Sequence, residues 1–156
     1  MRSRTLFAGL ATMAATVALA AAPAHAATPG LVDGTLSALG YTCTFTNATT
    51  SDKPPNTLSV DHTTVVPQCG AGVTVTLAAS PTITFNDAAG TASSAQIDVS
   101  GSALGMTCKY RVTNVSVTRS GTTRTYTGGP FTATKLSGGF LCPATAQVAS
   151  ASFTFH

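Results

Sequence analysis

The residues in this sequence that could do chemistry are few, and most of them are cysteines. Cys43, Cys69, Cys108 and Cys142 make up the full set of four. No two of them form a C-x-x-C pair, so the spacing of a zinc site or a thioredoxin-type redox pair is missing. In an oxidising compartment they read as a disulfide framework. The other candidate is Asp61-His62, the one place outside the first 26 residues where a carboxylate and an imidazole are neighbours. On a strand across Leu58 to Val66 the two side chains would face opposite ways, which argues against a dyad. The chain contains no glutamate at all. Hydrolytic chemistry needs paired titrating groups or a metal, and no G-x-S-x-G, zinc-protease or phosphate-loop pattern occurs. Asp87 and Asp98 match no calcium-loop spacing. The expectation is a protein without catalytic activity, cofactor or metal.

The N-terminus explains part of the apparent hydrophobicity. Met1-Arg2-Ser3-Arg4 is a positive head, Leu6 to Ala22 is uncharged and rich in alanine, and Pro23-Ala24-His25-Ala26 ends in a small-x-small pattern. These are the three regions of a secretory signal peptide over residues 1–26, cut after Ala26. Residues 27–156 are then expected as one exported, extracellular domain, free of the membrane and monomeric.

With 44% hydrophobic and 8% charged residues, a coiled coil, a disordered chain and a nucleic-acid binder are all poorly served. The few charges are unevenly placed. Residues 27–98 hold every aspartate and only Lys53 as a cation, whereas 99–156 hold Lys109, Arg111, Arg119, Arg124 and Lys135 with no acid. One reading is two halves that attract each other within a domain. The other is a basic face, made of Lys109, Arg111, Arg119 and Arg124 with Tyr126 as an exposed ring, that binds a cell-wall or other extracellular polymer. Tyr41 and Tyr110 share strand parity with cysteines and are expected to face inward. A carrier of a small apolar molecule, held in a crevice lined by phenylalanine, is the second functional expectation. A protease inhibitor presenting Ser51-Asp52-Lys53-Pro54 is the third, and the proline after Lys53 counts against it.

The elements that must position these residues are strands. Val73, Val75 and Leu77 alternate with Thr74 and Thr76, and Met106, Cys108, Tyr110 and Val112 alternate with Thr107, Lys109, Arg111 and Thr113. That period of two is the mark of a half-buried strand. A repeat is also present: Ser37-Ala38-Leu39-Gly40-Tyr41-Thr42-Cys43 returns as Ser102-Ala103-Leu104-Gly105-Met106-Thr107-Cys108, with six of seven positions identical. Turn residues at short intervals separate the runs. The fold expected is all-β, an antiparallel immunoglobulin-like sandwich or a small barrel, with pseudo-repeats over about 30–90 and 95–156. The repeat makes Cys43–Cys69 and Cys108–Cys142 the natural pairs, although cross-pairing between the units stays open.

Two resemblances follow from these residues. Gly105-Met106-Thr107-Cys108-Lys109-Tyr110 and Cys142-Pro143-Ala144-Thr145-Ala146, with the closing aromatic strand, resemble elements of small secreted actinobacterial disulfide-containing β proteins. That likeness implies export and a β fold, and brings no activity with it. The size, leader, composition and cysteine number also resemble the neocarzinostatin-type chromophore carriers, whose cysteines close shorter loops than these, so none of that family's binding residues is carried over.

Overall fold

The computed structural model describes residues 27–70 and 72–156, so the expected signal peptide lies outside the described residues. Eleven strands form one antiparallel sheet. In chain order they are β1 (Gly30–Ala38), β2 (Tyr41–Thr50), β3 (Leu58–Ser59), β4 (Gln68–Cys69), β5 (Thr74–Leu77), β6 (Thr82–Asn86), β7 (Thr91–Ala103), β8 (Met106–Arg119), β9 (Thr125–Gly128), β10 (Phe131–Ser137) and β11 (Thr145–Phe155).

The sheet curls until its edges meet. From β11 the ladder passes to β1 and β2. From there Thr50 bridges to Val60 beside β3, supported by Ser51 N–H to Ser59 O at 2.9 Å and Asp61 N–H to Thr49 O at 2.9 Å. β3 pairs with β6, β6 with β7, and β7 with β8 over most of their lengths. β9 and β10 then fill the place between β8 and β11 in succession, β9 at one end and β10 at the other. At the β10 end, β4 pairs with β2 and β5 with β7, and Val73 N–H donates to Gly70 O at 3.3 Å between them. Closure of this kind removes the exposed strand edges that invite aggregation.

Alternation decides which face is inside. Along β5 the threonines point out and Val75 and Leu77 point in, as the period of two requires. The outer face is therefore polar and the lumen apolar, the reverse of a barrel that crosses a membrane with its strands. Among the described residues no helix is long and apolar enough to cross one.

The repeated segment is a repeated hairpin. Leu39-Gly40 turns β1 into β2 and Leu104-Gly105 turns β7 into β8, with φ of 53° and 82° in the first and 50° and 77° in the second. Both central residues are thus left-handed, as a two-residue hairpin turn of the favoured hand demands. Each copy carries the same cross-strand hydroxyl pair, Ser37–Thr42 at 3.1 Å and Ser102–Thr107 at 2.9 Å. Each also leads into a disulfide, Cys43–Cys69 or Cys108–Cys142.

Candidate functional site

The two ends of the barrel are built differently. At the end where β7 begins and β8 and β11 finish, Phe85, Tyr126 and Phe155 pack ring against ring with centroids 5.1 to 5.9 Å apart. Tyr126 is 0% exposed. These rings fill the lumen, and a charged cluster caps them. Asp87, on the turn from β6 to β7, accepts from Arg124 Nη1 at 2.6 Å and Nη2 at 3.0 Å, and from Arg119 Nη1 at 3.2 Å. Arg124 Nη1 also reaches the Tyr126 hydroxyl at 3.4 Å. The hydrogen bond from Arg124 and the charges of both guanidiniums hold the Asp87 carboxyl below the usual aspartate range, against a smaller desolvation penalty.

At the opposite end the lumen is open. Leu36, Ile97 and Val99 face inward on long, well-paired strands yet remain half-exposed, because the space they face is not filled. The cavity is about 350 Å³ and runs down from the rim between Val, Leu, Ile, Ala and Phe side chains. Among the described residues no charged side chain lines it, and the few polar residues in its wall include serines such as Ser94, whose hydroxyl donates to Gln96 O at 3.1 Å. The cause lies in the inward residues themselves. Ala92, Ala133, Ala146 and Ala151 occupy lumen positions that a larger side chain would fill. Leu39, Tyr41 and Met106 form the mouth.

The connections at that mouth include the Leu39-Gly40 and Leu104-Gly105 turns and the loop from β10 to β11. The loop is pinned on several sides. Cys142 is bonded to Cys108 of β8, its carbonyl accepts from Lys135 Nζ at 2.9 Å, and Pro143 O accepts from the Tyr110 hydroxyl at 3.2 Å. Burial pushes the Tyr110 phenol up, so it stays a neutral donor across the physiological range. The other disulfide fixes β4 against β2 directly in register. Both disulfides therefore fasten the open end, and both follow the pairing that the repeat favoured. They fit an oxidising environment.

The residues expected to form a basic face are not gathered on one. Lys109 is exposed on the rim half of β8. Arg111, its neighbour but one, is bound bidentately to Asp98 across the β7–β8 ladder, Nε to Oδ1 at 2.7 Å and Nη2 to Oδ2 at 2.8 Å. That pairing holds the Asp98 carboxyl below its ordinary range, with a smaller contribution from Gln96. Arg119 and Arg124 lie at the closed end on Asp87. Tyr126 must be corrected from an exposed ring to a fully buried one. Its strand, β9, is paired on both sides, and its side chain has the inward parity that carries it between Phe85 and Phe155. Tyr41, expected inward, does face the lumen, but at its mouth, where it is 41% exposed. The charge asymmetry of the sequence thus resolves into ion pairs between aspartates of the first half and arginines of the second.

Asp61 and His62 lie in a turn after β3 rather than on a strand. Asp61 Oδ1 accepts from Thr63 N–H at 2.9 Å and Thr63 Oγ1 at 2.7 Å, and these bonds hold its carboxyl below the usual aspartate range. The His62 ring is within 3.1 Å of Ser80 Oγ through Nδ1. Carboxylate and imidazole are thus engaged separately. Among the described residues no group of three or more His, Cys, Asp or Glu side chains could hold a metal ion. In the Lys53 segment, Asp52 accepts from Thr28 N–H, Lys53 N–H and Asn56 Nδ2, which folds that loop onto itself.

Sequence reasoning offered an apolar crevice lined by phenylalanine but neither located it in the fold nor named the apolar rim. Phe140 and Leu141 were hidden in what reads as a glycine-rich turn before Cys142, and the signal available was two large apolar residues between Gly138-Gly139 and that cysteine. No family model matches the chain, and neither a curated protein nor a solved structure matches it.

Proposed function

We propose that this protein is an exported, non-catalytic carrier of a small, uncharged, apolar molecule. The observation that supports this best is the cavity itself: about 350 Å³, walled by apolar side chains, open at one end and sealed by aromatic rings at the other. Its volume is at the low end of the range for small-molecule sites. A buried charge on the ligand would meet no partner in that wall and would be strongly disfavoured. Selectivity then rests on size and shape. Binding of a cell-wall or extracellular polymer through Lys109, Arg111, Arg119 and Arg124 has less support, because the three arginines already hold carboxylates and Tyr126 offers no platform.

The test is titration of the disulfide-intact protein with the uncharged fluorophore N-phenyl-1-naphthylamine. Saturable uptake with a blue-shifted emission and a raised melting temperature is expected. Val99→Phe, which places a ring in the cavity, should cut the affinity about ten-fold or more while the barrel stays folded. Absence of saturable uptake by the unsubstituted protein would overturn the carrier reading and return attention to polymer sedimentation.

A further inference from the structure

Leu104, Phe140 and Leu141 are large, strongly exposed apolar residues that the cavity wall does not use, and Leu39 is another that stands at its mouth. Leu104 is 95% exposed, Phe140 94%, Leu39 61% and Leu141 59%. All four stand on connections at the mouth: the two hairpin turns and the β10–β11 loop. Isolated exposed leucines are ordinary, but four large apolar side chains crowning one end form a patch that calls for an occupant.

The turns themselves sharpen the point. Leu39 and Leu104 each take the first central position of their hairpin turn, at φ of 53° and 50°. That conformation is costly for a residue with a bulky side chain, and asparagine is the usual choice there. Neither leucine recovers the cost by burial. The same violation occurs in both copies of the repeat. The loop carrying Phe140 and Leu141 is held by a disulfide and by the Lys135 and Tyr110 hydrogen bonds, so these side chains are displayed on an anchored support.

We propose that the open rim docks on a lipid layer with anionic headgroups, and that the carried molecule passes between that layer and the cavity. The inference rests on the carrier reading for its purpose, and on the rim alone for the docking. Three features select lipid. Single side chains projecting from separate tips enter a soft medium readily, whereas a folded partner would need matching pockets for each. The charges beside the rim are Lys109 and Lys135, and the aspartates stand elsewhere: Asp98 is held by Arg111, Asp87 lies at the closed end, and Asp33, Asp52 and Asp61 lie near the start of β1, the end of β2 and the turn after β3. Apolar tips flanked by lysines are the composition of an interfacial anchor. Finally, the mouth formed by Leu39, Tyr41 and Met106 is continuous with these tips, so an apolar molecule would cross without entering water.

The experiment is co-sedimentation of the disulfide-intact protein with vesicles of phosphatidylcholine and phosphatidylglycerol in equal parts. Binding is expected, weaker on phosphatidylcholine alone. Leu104→Asn and Phe140→Ser should each lower the partition coefficient about ten-fold or more. Neither residue lines the cavity, so both variants should keep N-phenyl-1-naphthylamine binding in the absence of vesicles. Vesicle binding that the two variants leave unchanged, or no binding at all, would overturn the docking proposal. So would a concentration-dependent dimer that the same variants dissolve, because a second copy would then be the occupant of the rim. Probe uptake without vesicle binding defeats this inference alone, and vesicle binding without probe uptake defeats the carrier reading and leaves the rim standing.

Discussion

The two ends of this barrel solve the same problem with different materials. At the closed end the lumen is filled: Phe85, Tyr126 and Phe155 interlock, and Asp87 with Arg119 and Arg124 lies over them. At the open end the lumen is empty, and covalent bonds do what packing does at the other. Cys43–Cys69 holds β4 to β2, and Cys108–Cys142 holds the β10–β11 loop to β8. A barrel that keeps a ligand-sized space gives up the contacts that would have filled it. The difference between the ends indicates where that loss is made good.

The largest expected effects test this division directly. Tyr126→Ala should cost about 3–5 kcal/mol, as other large-to-small changes at packed aromatic sites do, and should destabilise the whole domain. Replacing Cys108 and Cys142 together by alanine opens a loop with a separation of 34 residues and should cost about 3.5–4 kcal/mol in the chain-entropy account. The two losses are similar in size and should differ in place. Hydrogen exchange in the disulfide variant should rise first in the β10–β11 loop and the start of β8, with Phe155 and its neighbours still protected. Uniform loss of protection along β8 in that variant would mean that the ends are one cooperative unit and that the contrast has no energetic content.

Much of this fold was legible in the sequence, for physical reasons that can be named. Alternation of Val73, Val75 and Leu77 with threonine reports directly on which face is dry, so strands and their parity followed. The repeated Ser-Ala-Leu-Gly segment encoded two equivalent hairpins, and through them the cysteine pairing. Tyr126 was misjudged because burial of a short strand depends on its neighbours, and nothing local says that β9 is flanked by β8 and β11. The place and extent of the expected crevice were hidden for a related reason. Inward parity shows that Ala133 or Ile97 faces the lumen, but whether the lumen is full depends on its girth and on residues far apart in the chain. The Asp61 turn escaped because Leu58 to Val66 looks like a strand until Asp61 takes the Thr63 amide and hydroxyl.

A smaller effect separates charge from packing as the cap of the closed end. Asp87 and Asp98 both have folded pKa values below the unfolded one, principally through hydrogen bonds from Arg124 and Arg111. A carboxylate depressed in this way contributes stability above its unfolded value, near pH 4, and loses it as pH falls through the folded value. The melting temperature should therefore be level, as far as these groups decide it, from pH 8 to about pH 5, and should fall below about pH 4. Both pairs are partly solvated, so the loss should shrink in high salt. Asp87→Asn should remove part of the acid-limb decline, and an unchanged acid limb in that variant would assign the cap to the aromatic rings alone.

The smallest expected change is a gain, and it concerns the open end. Asparagine accepts the left-handed backbone that leucine resists, so Leu39→Asn or Leu104→Asn should each stabilise the domain by about 1 kcal/mol. Thermal melts of the two variants measure this, as a rise of a few degrees (about 3–5 °C per kcal/mol at this size). The sign matters more than the size. A rise in both would mean that each hairpin bears a cost with no return inside the fold, so that the reason for leucine lies outside it, at whatever the rim touches. A fall would mean that the leucines hold their turns through contacts with the neighbouring tips. The open end would then be a stabilised structure in its own right, and its exposed side chains would need no partner to account for them.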